Sequence, residues 1–293
     1  MTVLLYGSDG WIGGLLAEEL RLANVGVHAA RARADDLEAV MQELVDVQPR
    51  LVFSAIGRTH GVVNGEVMNS IDYLEGRLDE NLRDNLVAPL LLAEACKRAG
   101  IHYACIATGC IFAAPVDKID ARPFDEAAEP NFTGSGYSSV KGATERLLQA
   151  CYAESALWFR IRMPLAGKHP RSFLTKILGY NRICSVRNSM TVLTGEGGLL
   201  KLFVAMALAG YRGCYNGTNP GTMSHNEILS LFRELVDPSL RWENFSVEEQ
   251  AQVLRCGRSN NRLCTRKLEA AAAELRLPLL PLDAAVRKLL EGA

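Results

Sequence analysis

One glycine-rich turn constrains this chain more than any other feature. Gly7, Gly10 and Gly13 recur at three-residue spacing directly after Met1–Tyr6, an apolar run without polar alternation. Such a run suits a strand buried on both faces of a parallel sheet. An amphipathic stretch, Leu15–Leu22, follows as a helix. Strand, glycine turn and helix in that order are the context in which this pattern accepts a pyrophosphate. A Cβ would hold the backbone away from the anion, and the helix start offers N–H groups and a positive dipole end. Gly7, Gly10, Trp11, Ile12 and Gly13 are the first expected dinucleotide contacts.

The same alternation continues. Apolar runs at Val25–Ala30, Arg50–Ala55, Ile101–Ala107 and Ala156–Met163 are separated by helical segments at Leu37–Val47, Asn85–Ala99 and Tyr137–Tyr152. This predicts an α/β fold, a Rossmann-type doubly wound parallel sheet with helices on both faces. A helix (Leu199–Ala209) and a short strand (Gly213–Asn216) return to the sheet, and Pro220–Ala293 reads as mostly helical. Residues 1–163 plus about 191–218 are expected to bind the dinucleotide. Residues 164–190 plus 219–293 would form a smaller, interleaved substrate-binding cap.

Charge and cysteine usage narrow the function. With 32 basic and 33 acidic side chains among 293 residues, nothing favours a nucleic-acid partner. No apolar run approaches the ~20 residues of a membrane helix, and the N-terminus does not read as a secretory signal. Eight scattered cysteines without a Cys-x-x-Cys pair fit reduced thiols in the cytoplasm, with no metal site.

Downstream residues suggest the chemistry. Arg31 and Arg33 follow the second strand, whereas Asp35 and Asp36 come too late for a ribose hydroxyl. That favours NADPH, with NADH the weaker alternative. Tyr137 and Lys141 stand four apart on a helix, so phenol and ammonium share a face. The cation would support the phenolate that proton work near neutral pH requires. Thr108 ends the strand before them. If that strand extends through Cys110, the two side chains point the same way.

Together these residues resemble the extended short-chain dehydrogenase/reductases. More closely, the chain is similar to nucleotide-rhamnose synthases, the epimerase-reductase relatives of dTDP-4-dehydrorhamnose reductase. The matching stretches include YGSDGWIGGLL (6–16), ATGCIF (107–112), PNFTGSGYSSVK (130–141), RIRMP (160–164), PRSFLTKI (170–177), NSMTVL (188–193) and RSNNRL (258–263). The resemblance implies a reductase set of Thr108, Tyr137 and Lys141 and an epimerase pair of Cys110 and Lys176. It assigns Ala55, Gly57 and Pro164, with Tyr137 and Lys141, to the cofactor. It assigns Asn131, Asn188, Arg258, Asn260 and Asn261 to the nucleotide sugar, and makes Asn85 a structural asparagine.

The implied substrate is a UDP- or dTDP-linked 4-keto-6-deoxy-D-glucose, supplied by a nucleotide-glucose 4,6-dehydratase, and the implied product is the β-L-rhamnose nucleotide. Cys110 would act as thiolate base and Lys176 as the acid on the opposite face, the ammonium also favouring the thiolate. A homodimer is expected by analogy. Two alternatives stay open: a 4-reductase only, and a non-catalytic NADP-binding regulatory subunit. The chain departs from the resemblance in residues 57–70 and at Cys264, where the family usually has Asp.

Overall fold

The computed structural model describes residues 1–292. In chain order its first elements are β1 (Thr2–Tyr6), α1 (Trp11–Leu22), β2 (Gly26–Ala29), α2 (Leu37–Val47) and β3 (Leu51–Ser54). Next come β4 (Gly61–Val63), β5 (Glu66–Met68), α3 (Leu78–Leu82), α4 (Ala88–Ala99), β6 (His102–Thr108), α5 (Gly136–Tyr152) and β7 (Ala156–Ile161). The chain continues through α6 (Phe173–Leu178), β8 (Arg182–Ile183), α7 (Leu200–Leu208), β9 (Gly213–Tyr215) and α8 (His225–Leu235). It ends with β10 (Glu243–Asn244), α9 (Val247–Val253), α10 (Arg266–Glu274) and α11 (Leu282–Glu291). No helix among the described residues is long and apolar enough to cross a membrane.

Six strands form one sheet in the order β2-β1-β3-β6-β7-β9. β1 pairs in parallel with both β2 and β3, β3 with β6, and β7 with β9. Strand order therefore reverses between β1 and β3, and ligands of such sheets bind beyond the carboxyl ends of strands at that reversal. The strands read as unbroken apolar runs because both faces are covered: Val3, Leu4, Leu5, Val52, Phe53, Trp158 and Phe159 have no exposed surface.

The chain divides into two compact units. The first comprises Met1–Thr108, Gly136–Arg160 and Leu200–Tyr215; the second comprises Gly109–Ser135, Ile161–Leu199 and Asn216–Ala293. The first packs Leu4, Val52, Leu92, Tyr103 and Trp158 into its core, and the second packs Leu165, Ile177, Met190, Ile228 and Leu282. Full burial of each such side chain contributes about 1.5–3 kcal/mol.

Local chemistry explains the element boundaries. α2 starts where expected because Asp36 caps it, its carboxylate accepting the Ala39 N–H at 3.0 Å. The helix expected from Asn85 begins as α only at Ala88, because Arg83–Val87 winds as a wider π turn. There the Asn85 carbonyl accepts the Thr144 hydroxyl at 2.7 Å. Residues 61–68 form a hairpin, β4 against β5, turned by Asn64 and Gly65 at φ 52° and 84°. An Asn-Gly pair favours this turn, whose twist matches the flanking strands.

Candidate active site

The glycine turn lies at the β1/β3 reversal. Gly7 has φ +80°, and a Cβ there would stand 3.1 Å from the Ala55 carbonyl carbon. A Cβ on Gly13 would come within 1.8 Å of the Gly7 oxygen, so no side chain fits between turn and helix. α1 has Gly10 as its N-cap, with no side-chain cap and no acidic residue in its first turn. The first N–H groups of a helix have no intrahelical acceptor, and a helix start of this kind suits an anion. The partner loop after β3 is fixed by Asn85, which accepts the Arg58 N–H at 3.0 Å and donates to the Arg58 carbonyl at 2.9 Å. Ala55 stands beside the glycine turn, and a Cβ on Gly57 would lie 3.3 Å from the Asn85 side chain.

Beyond β2, the buried carboxylate of Glu43 accepts the N–H groups of Arg31 and Ala32 and the Tyr6 hydroxyl. This orders the segment carrying both expected cations. They differ, however. Arg31 is exposed, whereas Arg33 grips Asp35 through two hydrogen bonds of 2.9 and 3.0 Å. Arg58 and Arg83, which the sequence did not single out, flank Asp84 nearby in the network.

Thr108 ends β6, and Tyr137 and Lys141 lie one turn apart at the start of α5; all three are at most 8% exposed. Thr108 and Lys141 line one small cavity with Ser54, Cys105, Thr144 and Glu145. At about 10 Å³ it has room for roughly one water. Burial pushes the Lys141 ammonium below its usual pKa, against opposing effects of Cys105 and Glu145. α5 is held at both ends of this site. Glu75 accepts the Gly136 N–H at 2.9 Å, and Glu145 accepts from Trp158 and Arg160 on β7. Glu75 carried no sequence signal, lying 61 residues from the backbone it caps.

Cys110 belongs to the second unit and to a turn, not to a strand. The Gly109 N–H still bonds to the Ile161 carbonyl of β7, but the Gly109 carbonyl is taken by side chains, accepting from Arg162 and Asn261, each at 3.0 Å, and β6 stops at Thr108. Alternation therefore does not carry Cys110 onto the Thr108 face. A Cβ on Gly109 would stand 2.7 Å from Leu263 and 3.0 Å from Arg162, so the turn packs tightly.

Asn188 and Asn261 were expected to touch substrate, but neither has exposed surface. Instead they hold this turn. Asn261 donates to the Gly109 and Phe112 carbonyls, and Asn188 accepts from Arg162 at 2.8 Å and from the Asn261 N–H at 2.9 Å. Asn260, half-buried, accepts from Asn188, and its carbonyl accepts the Ala114 N–H. The exposed Asn131 pairs its amide with both backbone groups of Ala113.

Lys176 is half-buried on α6, whose start is tied down by the Phe173 N–H bonding to the Pro164 carbonyl at 2.9 Å. Pro164 belongs to the second unit, and the other expected cofactor residues belong to the first. Burial pushes the Lys176 ammonium below its ordinary range, and the charges of Arg171 and Arg258 push it further. Arg258 is steadied by its own bond to the Cys256 carbonyl at 3.0 Å. An amine with weakened hold on its proton, beside two permanent cations, can donate a proton and attract an anion.

The RmlD substrate binding domain family matches residues 1–194. The crystal structure of the L780 UDP-rhamnose synthase from Acanthamoeba polyphaga mimivirus superposes with a TM-score of 0.93 at 42% identity, covering 100% of this chain and 99% of that one. An Arabidopsis thaliana bifunctional dTDP-4-dehydrorhamnose 3,5-epimerase/dTDP-4-dehydrorhamnose reductase is 38% identical over 280 residues, 93% of this chain and 88% of its own length. A trifunctional UDP-glucose 4,6-dehydratase/epimerase/reductase of the same plant is 38% identical over 283 residues, only 40% of that longer protein. The chain belongs to the RmlD substrate binding domain family, within the extended short-chain dehydrogenase/reductases.

Proposed function

We propose that this chain inverts carbons 3 and 5 of a UDP- or dTDP-linked 4-keto-6-deoxy-D-glucose and then reduces carbon 4 with NADPH, giving the β-L-rhamnose nucleotide. One observation carries the reading: a Thr108/Tyr137/Lys141 set and a Cys110/Lys176 pair occur on one chain. A plain ketone reductase needs only the first. A near-full-length relative whose name states both activities, and another named a UDP-rhamnose synthase, support it.

The residues present fit a dinucleotide. The glycine turn is closed to side chains, the α1 start is uncapped, and Arg31 presents its charge beyond β2. Gly7, Gly10, Trp11, Ile12 and Gly13 would hold the pyrophosphate, Arg31 and Arg33 the 2′-phosphate, and Ala55, Gly57 and Pro164 the remainder. Bound NADPH supplies the hydride that reduces carbon 4.

The keto group acidifies the protons on carbons 3 and 5. Cys110, as thiolate, takes one proton; the S–H bond forms as the C–H electrons move into an enolate. The Lys176 ammonium then delivers a proton to the opposite face, inverting the centre. Cys110 is left protonated and Lys176 neutral, and exchange with water restores both, so solvent hydrogen enters the sugar. Reduction removes the ketone and with it this acidity, so it comes last. Thr108 orients the carbonyl, Tyr137 protonates its oxygen, and Lys141 supports Tyr137 through its charge.

The chain works as a cytoplasmic homodimer through α4 and α5, a reading supported by the exposed Val87 and Leu147 beside and on those helices. It acts after a nucleotide-glucose 4,6-dehydratase, the activity that the longer plant relative names alongside these two. The test is to incubate the protein with NADPH and either keto-sugar nucleotide and identify the product by NMR. The L-rhamno configuration is expected from at least one. A product retaining the D-gluco configuration at carbons 3 and 5 contradicts the reading.

A further inference from the structure

Two arginines stand two residues apart, both nearly without exposure, and only one has an acid. Arg160, 2% exposed, pairs with Glu145 at 2.8 Å. Arg162, 1% exposed, forms no ion pair with a carboxylate among the described residues. Its Nη1 donates to the Gly109 carbonyl and the Ser259 hydroxyl, and its Nη2 to Asn188 and the Ser259 carbonyl. Every one of these acceptors is neutral, and its buried Nε has no hydrogen-bond partner. A guanidinium keeps its charge even when buried, and a buried charge compensated only by dipoles is costly. A group able to become an anion does reach it: the Cys110 Sγ lies 3.9 Å from Nη1.

We infer that Arg162 is the counter-ion of the Cys110 thiolate, a positioning residue through which the second unit readies its base. The inference rests on the epimerase reading above. Before proton transfer the negative charge sits on sulfur beside Nη1. When sulfur takes the sugar proton, that charge moves to the enolate oxygen and Arg162 returns to its neutral partners. Asn188, Ser259 and Asn261 fix the fork that aims Nη1. Lys176 is thereby left to act as the acid on the opposite face.

The test compares Arg162→Met and Arg162→Lys with the unaltered protein, each checked for fold by circular dichroism. One readout is iodoacetamide labelling of Cys110, followed by peptide mass spectrometry at one pH with Cys256 as internal control. The other is solvent deuterium entering carbons 3 and 5. Arg162→Met should slow Cys110 labelling about tenfold while leaving Cys256 unchanged. It should lower deuterium entry about 10²-fold, at least about tenfold more than any fall in ketone reduction. Arg162→Lys, which keeps a charge, should lose less of both. Unchanged Cys110 labelling in folded Arg162→Met, or equal losses in the two variants, overturns the inference. If Arg162→Met does not fold, Arg162→Lys decides: retained labelling supports the charge role and lost labelling contradicts it. Labelling needs no substrate. Failure of the epimerase reading would show separately, as deuterium entry that survives Cys110→Ala.

Discussion

The two halves of the chemistry are built differently. In the first unit, Tyr137 and Lys141 ride one helix, four residues apart, with Thr108 at the end of a buried strand. Regular elements set their geometry, and the one buried arginine there is neutralised by Glu145. In the second unit, Cys110 sits on an irregular turn held by Arg162, Asn188, Ser259 and Asn261, with partners up to 152 residues apart. A helix can be relied on to align a phenol and an amine. A side chain in a turn has no such periodicity to place it and is set by polar contacts from distant segments, here with an arginine whose carbonyl, amide and hydroxyl acceptors are all neutral.

The sharpest way to break the comparison is Cys110→Ala. Deuterium entry at carbons 3 and 5 should fall about 10²–10⁴-fold, as expected for loss of a general base, while reduction of an already epimerised ketone persists. Equal loss of both would show that the two sets are not separable.

Gly13→Ala strikes the first unit alone. Its Cβ would fall 1.8 Å from the Gly7 oxygen. NADPH affinity, read by fluorescence titration, should drop at least about 10²-fold, because this glycine permits close packing of helix on strand. Deuterium entry without cofactor should survive. Undiminished NADPH binding would show that the turn yields.

Acid should loosen the second unit through His225. Burial pushes its pKa from 6.5 to about 4. It accepts the Val186 N–H at 3.3 Å and packs edge-on to Phe173 of the helix carrying Lys176. The unfolded chain then binds the extra proton between these values, so stability is full above pH 6.5 and falls as pH drops toward 4. The loss attributable to His225 is about 3 kcal/mol. Urea midpoints across this window should decline less steeply in His225→Asn. An unchanged slope would remove His225 from the account.

The smallest effect concerns cofactor choice. Arg31→Ala should lower the preference for NADPH over NADH about tenfold and Arg33→Ala by less, since Asp35 already shares the Arg33 charge. The reverse order in steady-state kinetics would mean that Arg33 leaves Asp35 when cofactor binds.

How much was legible follows from the same contrast. The glycine turn, α2 and the Tyr137–Lys141 helix were readable because periodicity and fixed short spacings carry them. The hairpin at 61–68 has a local signal in Asn64-Gly65, but its strands are only three residues long, too short for an alternation pattern. Thr108 was legible as the end of its strand, but the turn that carries Cys110 beyond it was not, since it depends on Arg162 and Asn261 closing on Gly109 from distant segments. For the same reason Asn188 and Asn261 were recognisable as motif residues but not as buried supports. Arg162 lay in plain view within RIRMP, yet nothing local marks which of two arginines lacks a carboxylate.

The separability of the two sets is tested most directly by Tyr137→Phe in deuterated buffer with a keto-sugar nucleotide and NADPH, carbons 3 and 5 being followed by NMR. Deuterium should enter both positions at close to the unaltered rate while NADPH oxidation falls about 10²-fold or more. Loss of deuterium entry together with reduction would contradict the account.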